Sequence, residues 1–202
     1  MRACRLLSVR GVLHVTASLD FIPGQQLCGL FYEEAVAPIL AATFPSLRHS
    51  AALIGYGSDV LGYDTARSTD HEWGPRLLLF VSAEDLAAHG EEIRTALAER
   101  LPVTFRGYST HFGPADHEGV RLPQTREIGP VDHKVEIHTE SGWFTAWIGI
   151  DPAAGLTAAD WLALPQEKLL EVTAGRVYHD GLGAPAPRRE AHSHYPRAVW
   201  PY

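Results

Sequence analysis

The 202 residues carry 17 Lys plus Arg against 24 Asp plus Glu, a formal net charge of −7, with 46% hydrophobic and 20% charged side chains. A chain of this size holds one sizeable core, or a catalytic domain of about 150 residues with appended helices, which argues against two full domains; the composition argues against extensive disorder. Lys and Arg are scattered, so there is no basic stripe and no DNA-binding signature, and a triphosphate site on so acidic a chain must bring its own local positive charge or a metal ion.

Two cysteines, Cys4 and Cys28, have neither zinc spacing nor the density of a disulfide framework and read as reduced thiols of a cytoplasmic protein. The apolar start is interrupted by Arg10 and His14 and lacks a signal-peptide core, and no run reaches the ~18 apolar residues of a membrane span.

Residues 1–24 read as an N-terminal extension closed by the turn signal Pro23-Gly24. Leu27, Leu30, Phe31, Ala35, Ile39 and Leu40 recur at helical spacing, which predicts a packing helix from about Gln26 to Phe44 that Pro38 kinks or splits. Ser50 to Tyr56 reads as a buried strand that ends in a glycine-bounded loop over 57–69, and Arg76 to Val81 as a second strand whose start reaches back towards Asp70. Ser82 caps a helix from about Ala83 to Arg100, with Glu84 and Asp85 in the dipole-favoured first turn.

Val103–Arg106 is a candidate strand, and 107–130, rich in Gly and Pro, reads as a long functional loop or insertion. From Val131 to Thr139 the odd positions Val131, His133, Val135, Ile137 and Thr139 alternate with Asp132, Lys134, Glu136 and His138, which marks a half-buried strand with its polar face turned to a site. Apolar aromatic segments over 143–150 follow, then a Thr157-capped helix over about 158–164, a helix over 166–173 stopped by Gly175, and a short strand at 176–180. Residues 183–190 read as a Pro- and Arg-rich linker leading into a tail over 183–202.

The chemistry sits in the order of these pieces. Gly57-Ser58 directly follows a strand, where glycine lets backbone amides approach phosphate oxygens and the serine hydroxyl adds a donor. Eleven residues separate Ser58 from Asp70, which leaves room for a returning loop. Asp70 and Glu72, two apart, are expected on one side of a strand, with Glu136 on a separate strand as a third carboxylate. Such a set of oxygen ligands suits magnesium or manganese beside a nucleoside triphosphate.

Gly57-Ser58, Gly62, Ser68, Asp70, Glu72 and Glu136 together resemble the signature of the polymerase-beta-like nucleotidyltransferase superfamily. Phe31-Tyr32-Glu33-Glu34, Gly55-Tyr56-Gly57-Ser58-Asp59, Ser68-Thr69-Asp70-His71-Glu72-Trp73-Gly74, Trp161-Leu162 and Leu170-Glu171-Val172-Thr173-Ala174-Gly175 are similar to a bacterial group known as domain of unknown function 4037, over about residues 21–202. The resemblance implies an α/β or α+β fold, a mixed sheet flanked by helices, with the nucleotidyltransferase-like domain at 25–182 and a partial C-terminal helical region. It implies phosphate binding by Gly57 and Ser58, and metal binding and catalysis by Asp70, Glu72 and Glu136. The activity implied is magnesium-dependent transfer of a nucleoside monophosphate from a triphosphate to a hydroxyl acceptor, and the alternative is a nucleotide- or partner-binding module that keeps the fold without turnover. Group members usually continue into further helices, so the chain reads as ending inside such a region. His71 and Glu72 depart from the superfamily's usual apolar residue and Asp.

Other polar residues invite plainer readings. Asp59 and Asp64 read as solvated turn residues, and Arg67 and Arg76 as partners of phosphates or of nearby acids such as Asp70. His111, His117, His133 and His138 lack zinc spacing and read as satisfied or surface histidines, and Trp143, Trp147 and Trp161 as core filling.

Overall fold

A computed structural model describes residues 21–69, 72–151 and 155–194. The elements run α1 Gly24–Phe31, a π-helical turn Tyr32–Val36, α2 Ala37–Thr43, β1 His49–Leu53, α3 Ser58–Leu61, β2 Arg76–Val81, α4 Ala83–Arg100, β3 Thr104–Phe105, β4 Tyr108–Ser109, β5 Lys134–His138, α5 Glu140–Ile148, α6 Ala158–Ala163, α7 Gln166–Thr173, β6 Arg176–Asp180 and α8 Pro185–His192. This is a mixed α+β fold.

Four strands form one sheet in the order β5-β2-β1-β6. β1 pairs antiparallel with β2 and with β6, while β2 and β5 run parallel with Arg76 opposite Lys134 and Leu78 opposite Glu136. β3 and β4 make a separate two-stranded hairpin. The parallel pair needs a crossover, and α4 with the long loop that follows supplies it.

The period-2 pattern sorts the sheet into two faces. Ala51, Leu53, Leu77, Leu79, Val81, Val135 and Ile137 pack with Leu27, Phe31, Leu40, Ile93 and Leu97 of the N-terminal helices and α4. Ala52, Ile54, Leu78 and Phe80 pack on the other side with Trp143, Phe144 and Ile148 of α5, Trp161 of α6, and Leu169 and Val172 of α7. Helices thus cover both faces, each burying an apolar stripe.

The predicted helix over 26–44 forms as α1, the π-helical turn and α2, a division beside Pro38 of the kind expected there. Pro38 has no N–H for the usual bond four residues back, and the chain widens into the π-helical turn just upstream, where the Ala37 N–H reaches Tyr32 O, before continuing as α2. The aromatic segment after Ile137 is a helix, α5, capped by the Thr139 hydroxyl accepting from Gly142 N. Thr157 and Asp160 form a reciprocal capping box on α6. Residues 183–190 are not linker: Pro185 starts α8, and Arg189 binds it to the end of α7 by donating to the carbonyls of Val172, Thr173 and Ala174.

Candidate functional site

The strand β1 ends at Leu53, and the chain turns through Gly55, Tyr56 and Gly57 into α3, whose first residue is Ser58. Gly57 has φ +124°, and a Cβ there would lie 2.3 Å from Asp59 Oδ1 and 2.7 Å from Arg76 Nη2, so only glycine fits this turn. Gly55 N donates to Glu171 O at 2.9 Å, which ties the turn to α7.

Asp59 is not a solvated turn residue. It is 2% exposed and takes a two-pronged grip from Arg76, the first residue of β2: Nε to Oδ2 at 3.0 Å and Nη2 to Oδ1 at 2.8 Å. Arg76 Nη2 also donates to the Tyr56 carbonyl at 2.8 Å, so one buried guanidinium fixes both the turn and the helix after it. Burial opposes the charge on Arg76, yet the Asp59 carboxylate raises its pKa above the ordinary arginine value. Asp64 is also engaged, accepting from Gly24 N at 2.6 Å and from the Trp73 indole at 2.9 Å. Both aspartates escaped sequence reasoning because turn residues are usually solvated and their partners lie up to 40 residues away.

Of the three candidate acids, Asp70 lies outside the described residues, as does His71. Glu72 is described, and it does not stand on a strand: β2 begins at Arg76, and Glu72 occupies a turn with φ +48°. The expected alternation of two acids along one strand face therefore fails, because the Trp73-Gly74-Pro75 segment precedes the ladder and Pro75 has no N–H to contribute. Glu72 is nevertheless buried, and both of its oxygens are occupied. Oε2 accepts from the Tyr56 hydroxyl, and Oε1 meets Lys134 Nζ at 2.6 Å and the Arg121 N–H at 3.2 Å. Burial pushes the Glu72 carboxyl up, but Lys134 and Tyr56 outweigh it and hold the group below its ordinary value. Lys134, 4% exposed, is lowered by burial and partly restored by Glu72.

Glu136 follows Lys134 by two residues on the same strand face and is about half exposed, with His138 Nε2 at 3.4 Å from its Oε2. The His138 bond and, after the opposing effect of burial, the Lys134 charge hold its pKa down. Gly57-Ser58, Glu72 and Glu136 are thus linked through two intermediaries: Tyr56, adjacent in sequence to Gly57, and Lys134, adjacent on the strand face to Glu136, both bond to Glu72. Lys134 Nζ also donates to the Tyr56 hydroxyl at 3.3 Å.

Three further groups frame the site. Tyr56 stacks on Trp147 with centroids 5.6 Å apart, and Trp147 stacks on Trp143 at 5.3 Å. Lys168 Nζ sits 4.2 Å over the Trp147 ring and shares Glu171 Oε2 with the Trp147 indole. Trp143 and Trp161 are core residues as expected, and His133 is buried and satisfied. Along the outer edge of β5 a cavity of about 370 Å³ is lined by Arg94, Arg121, Arg126, His133 and Glu136 among others.

Carboxylate oxygens are chemically suited to magnesium or manganese. Glu136 keeps solvent-facing capacity for such an ion. Glu72, with both oxygens already bonded and an ammonium at 2.6 Å, does not fit as a second ligand in this arrangement. Sequence reasoning missed Tyr56, Arg121 and Lys134. The signal for Lys134 was present, since it stands two residues before Glu136 on the polar side of an alternating strand. Arg121 gave none, because it acts through its backbone amide from within a long loop.

Residues 161–202 match the family model of a domain of unknown function, DUF4037, in agreement with the group that the motifs resemble. The match covers the C-terminal elements and none of Gly57, Ser58, Glu72 or Glu136. No curated protein and no solved structure matched the chain. Among the described residues no helix is long and apolar enough to cross a membrane.

Proposed function

We propose, from the match to this domain of unknown function and the geometry around Glu72, that the chain is a nucleotidyltransferase-like protein that transfers a nucleoside monophosphate from a triphosphate to a hydroxyl acceptor. The observation that carries the reading is the pair of bonds meeting on Glu72, from Tyr56 beside the Gly57-Ser58 turn and from Lys134 beside Glu136. That pair of bonds connects the segment that carries Gly57 and Ser58 to the strand that carries Glu136.

In the reaction proposed, the acceptor oxygen bonds to the α-phosphorus as the bond to the β-phosphate oxygen breaks. Pyrophosphate departs with that electron pair, and Glu136 receives the hydroxyl proton. A divalent ion held by Glu136 and, from its sequence position, Asp70 would supply charge neutralisation on the phosphates. Ser58 and the turn amides would bind phosphate oxygens, and Lys134 and the arginine-lined cavity supply the positive charge that a chain of net charge −7 must concentrate locally.

The test is thermal stabilisation by each of the four nucleoside triphosphates with magnesium, followed by transfer assays with the stabilising one. Stabilisation by a triphosphate, lost in Asp70→Asn, is expected; no response to any of the four would overturn the reading. The occupied state of Glu72 favours a second reading, a module that binds a triphosphate without turnover, which the same assays separate as stabilisation without pyrophosphate release.

A further inference from the structure

The two-ion chemistry of nucleotidyl transfer asks its carboxylates for free lone pairs, because each divalent ion takes oxygen ligands directly. Three of the roughly four lone-pair sites of Glu72 are taken, both of those on Oε1 among them. Its Oε1 is 2.6 Å from Lys134 Nζ and 3.2 Å from the Arg121 amide, and its Oε2 accepts from Tyr56. An ion on Oε1 would have to share that oxygen with an ammonium, and like charges so close repel strongly between side chains this buried.

Lys134 is the more informative partner. A buried ammonium persists only when its protons are taken. Its side chain is 4% exposed, and among the described residues two acceptors serve it, Glu72 Oε1 and the Tyr56 hydroxyl at 3.3 Å. An ammonium has three donors. No acceptor among the described residues takes the remaining one, on the strand face that also carries Glu136. Arg76, opposite Lys134 in the β2–β5 register, has its charge matched by Asp59, which with the Tyr56 carbonyl engages Nε and Nη2 of the guanidinium.

We propose that Lys134 is a resident cation of the site that contacts the triphosphate in place of a second divalent ion, and that Glu72 is the residue that positions it, not a metal ligand. The proposal rests on the nucleotidyl-transfer reading. Lys134 stays protonated throughout the step: the acceptor oxygen bonds to the α-phosphorus, the bridging oxygen leaves with pyrophosphate, and the proton released goes to Glu136.

The experiment counts bound Mn²⁺ by electron paramagnetic resonance on the full chain, as wild type, Lys134→Met, Lys134→Arg, Glu72→Gln and the Lys134→Met/Glu72→Gln double variant, with triphosphate affinity measured in parallel. Freed of its ammonium, Glu72 should gain an ion, so Lys134→Met is expected to bind one more Mn²⁺ than wild type. The double variant and Lys134→Arg should return to the wild-type count. Glu72→Gln should leave the count unchanged and weaken triphosphate binding about tenfold, the effect of misplacing one charge-assisted donor. Should Lys134→Met fail to fold, Glu72→Gln decides alone: a lowered Mn²⁺ count makes Glu72 a ligand and overturns the proposal. No gain in Lys134→Met overturns it as well. Failure of the functional reading looks different, since then no triphosphate binds the wild type.

Discussion

Replacing Arg76 with Met removes the cation that holds the Gly57 turn while keeping most of the side-chain volume. Asp59, with its side chain 3% exposed, gives up the bonds at 3.0 and 2.8 Å and keeps the amide of Val60 at 2.9 Å, and the Tyr56 carbonyl loses its donor. A buried carboxylate stripped of its partner costs about 3–5 kcal/mol. For a chain of this size each kcal/mol moves Tm by about 2–4 °C, which gives a drop of about 6–20 °C. The decisive assay is a double-mutant cycle by urea unfolding, with Asp59→Asn, Arg76→Met and the pair. The double variant leaves no uncompensated charge and should recover at least about 2 kcal/mol relative to the sum of the singles. Singles that cost under about 1 kcal/mol, or that simply add, would place the pair in the energetic class of exposed ion pairs and refute the argument from burial.

Gly57→Ala should destabilise by about 3 kcal/mol or more, since positive φ strain adds to a Cβ placed 2.3 Å from Asp59 Oδ1; unfolding midpoints check this, and a wild-type midpoint would mean the turn can rearrange. His133 accepts from Val135 N on Nδ1 and meets Arg94 O with Nε2, so it is held neutral, and burial lowers its pKa. Its folded pKa thus lies below the unfolded value of about 6.5, so its contribution is intact above that pH and is lost as pH falls through the folded pKa, about 1.4 kcal/mol per unit of depression. The difference in unfolding free energy between pH 7.5 and 5.5 should shrink in His133→Gln. The Cys28 thiol, wholly buried and pushed up to about 12 by burial, should resist aromatic disulfide reagents at pH 8 in a Cys4→Ser background until the chain is unfolded. Stoichiometric labelling of the native protein within seconds would contradict that burial.

Much of the fold could be read from local pattern. β2 and α4 fall where the apolar run and the Ser82 cap place them, and the alternation around Glu136 separates Lys134, Glu136 and His138 from Val135 and Ile137. These signals are local, because they depend on residues within a turn or a strand of one another. The site was less legible. Gly57 and Ser58 stand out by their position after a strand, but why Gly57 must be glycine depends on Asp59 and Arg76, 17 residues apart. Glu72 stands out by its spacing, while its occupation by Lys134 is a tertiary fact with no signature in the 70–72 segment. Reading α8 as linker failed because its two prolines dominate the composition, whereas Pro185 at the helix start lacks only an N–H that would have had no partner there.

The sheet's last strand has consequences for biosynthesis. β6 flanks β1 on the side away from β2, and Ser50 reaches Asp180 across 130 residues of chain. At the usual elongation rates of about 5–20 residues per second, β1 waits about 6–26 s on the ribosome before that neighbour is made. Throughout this interval its outer ladder of N–H and C=O groups is an open edge on an apolar strand, able to pair with another nascent chain. The order of genes and domains around such a strand, and the availability of chaperones to shield it, therefore bear on yield as directly as the stability of the finished protein.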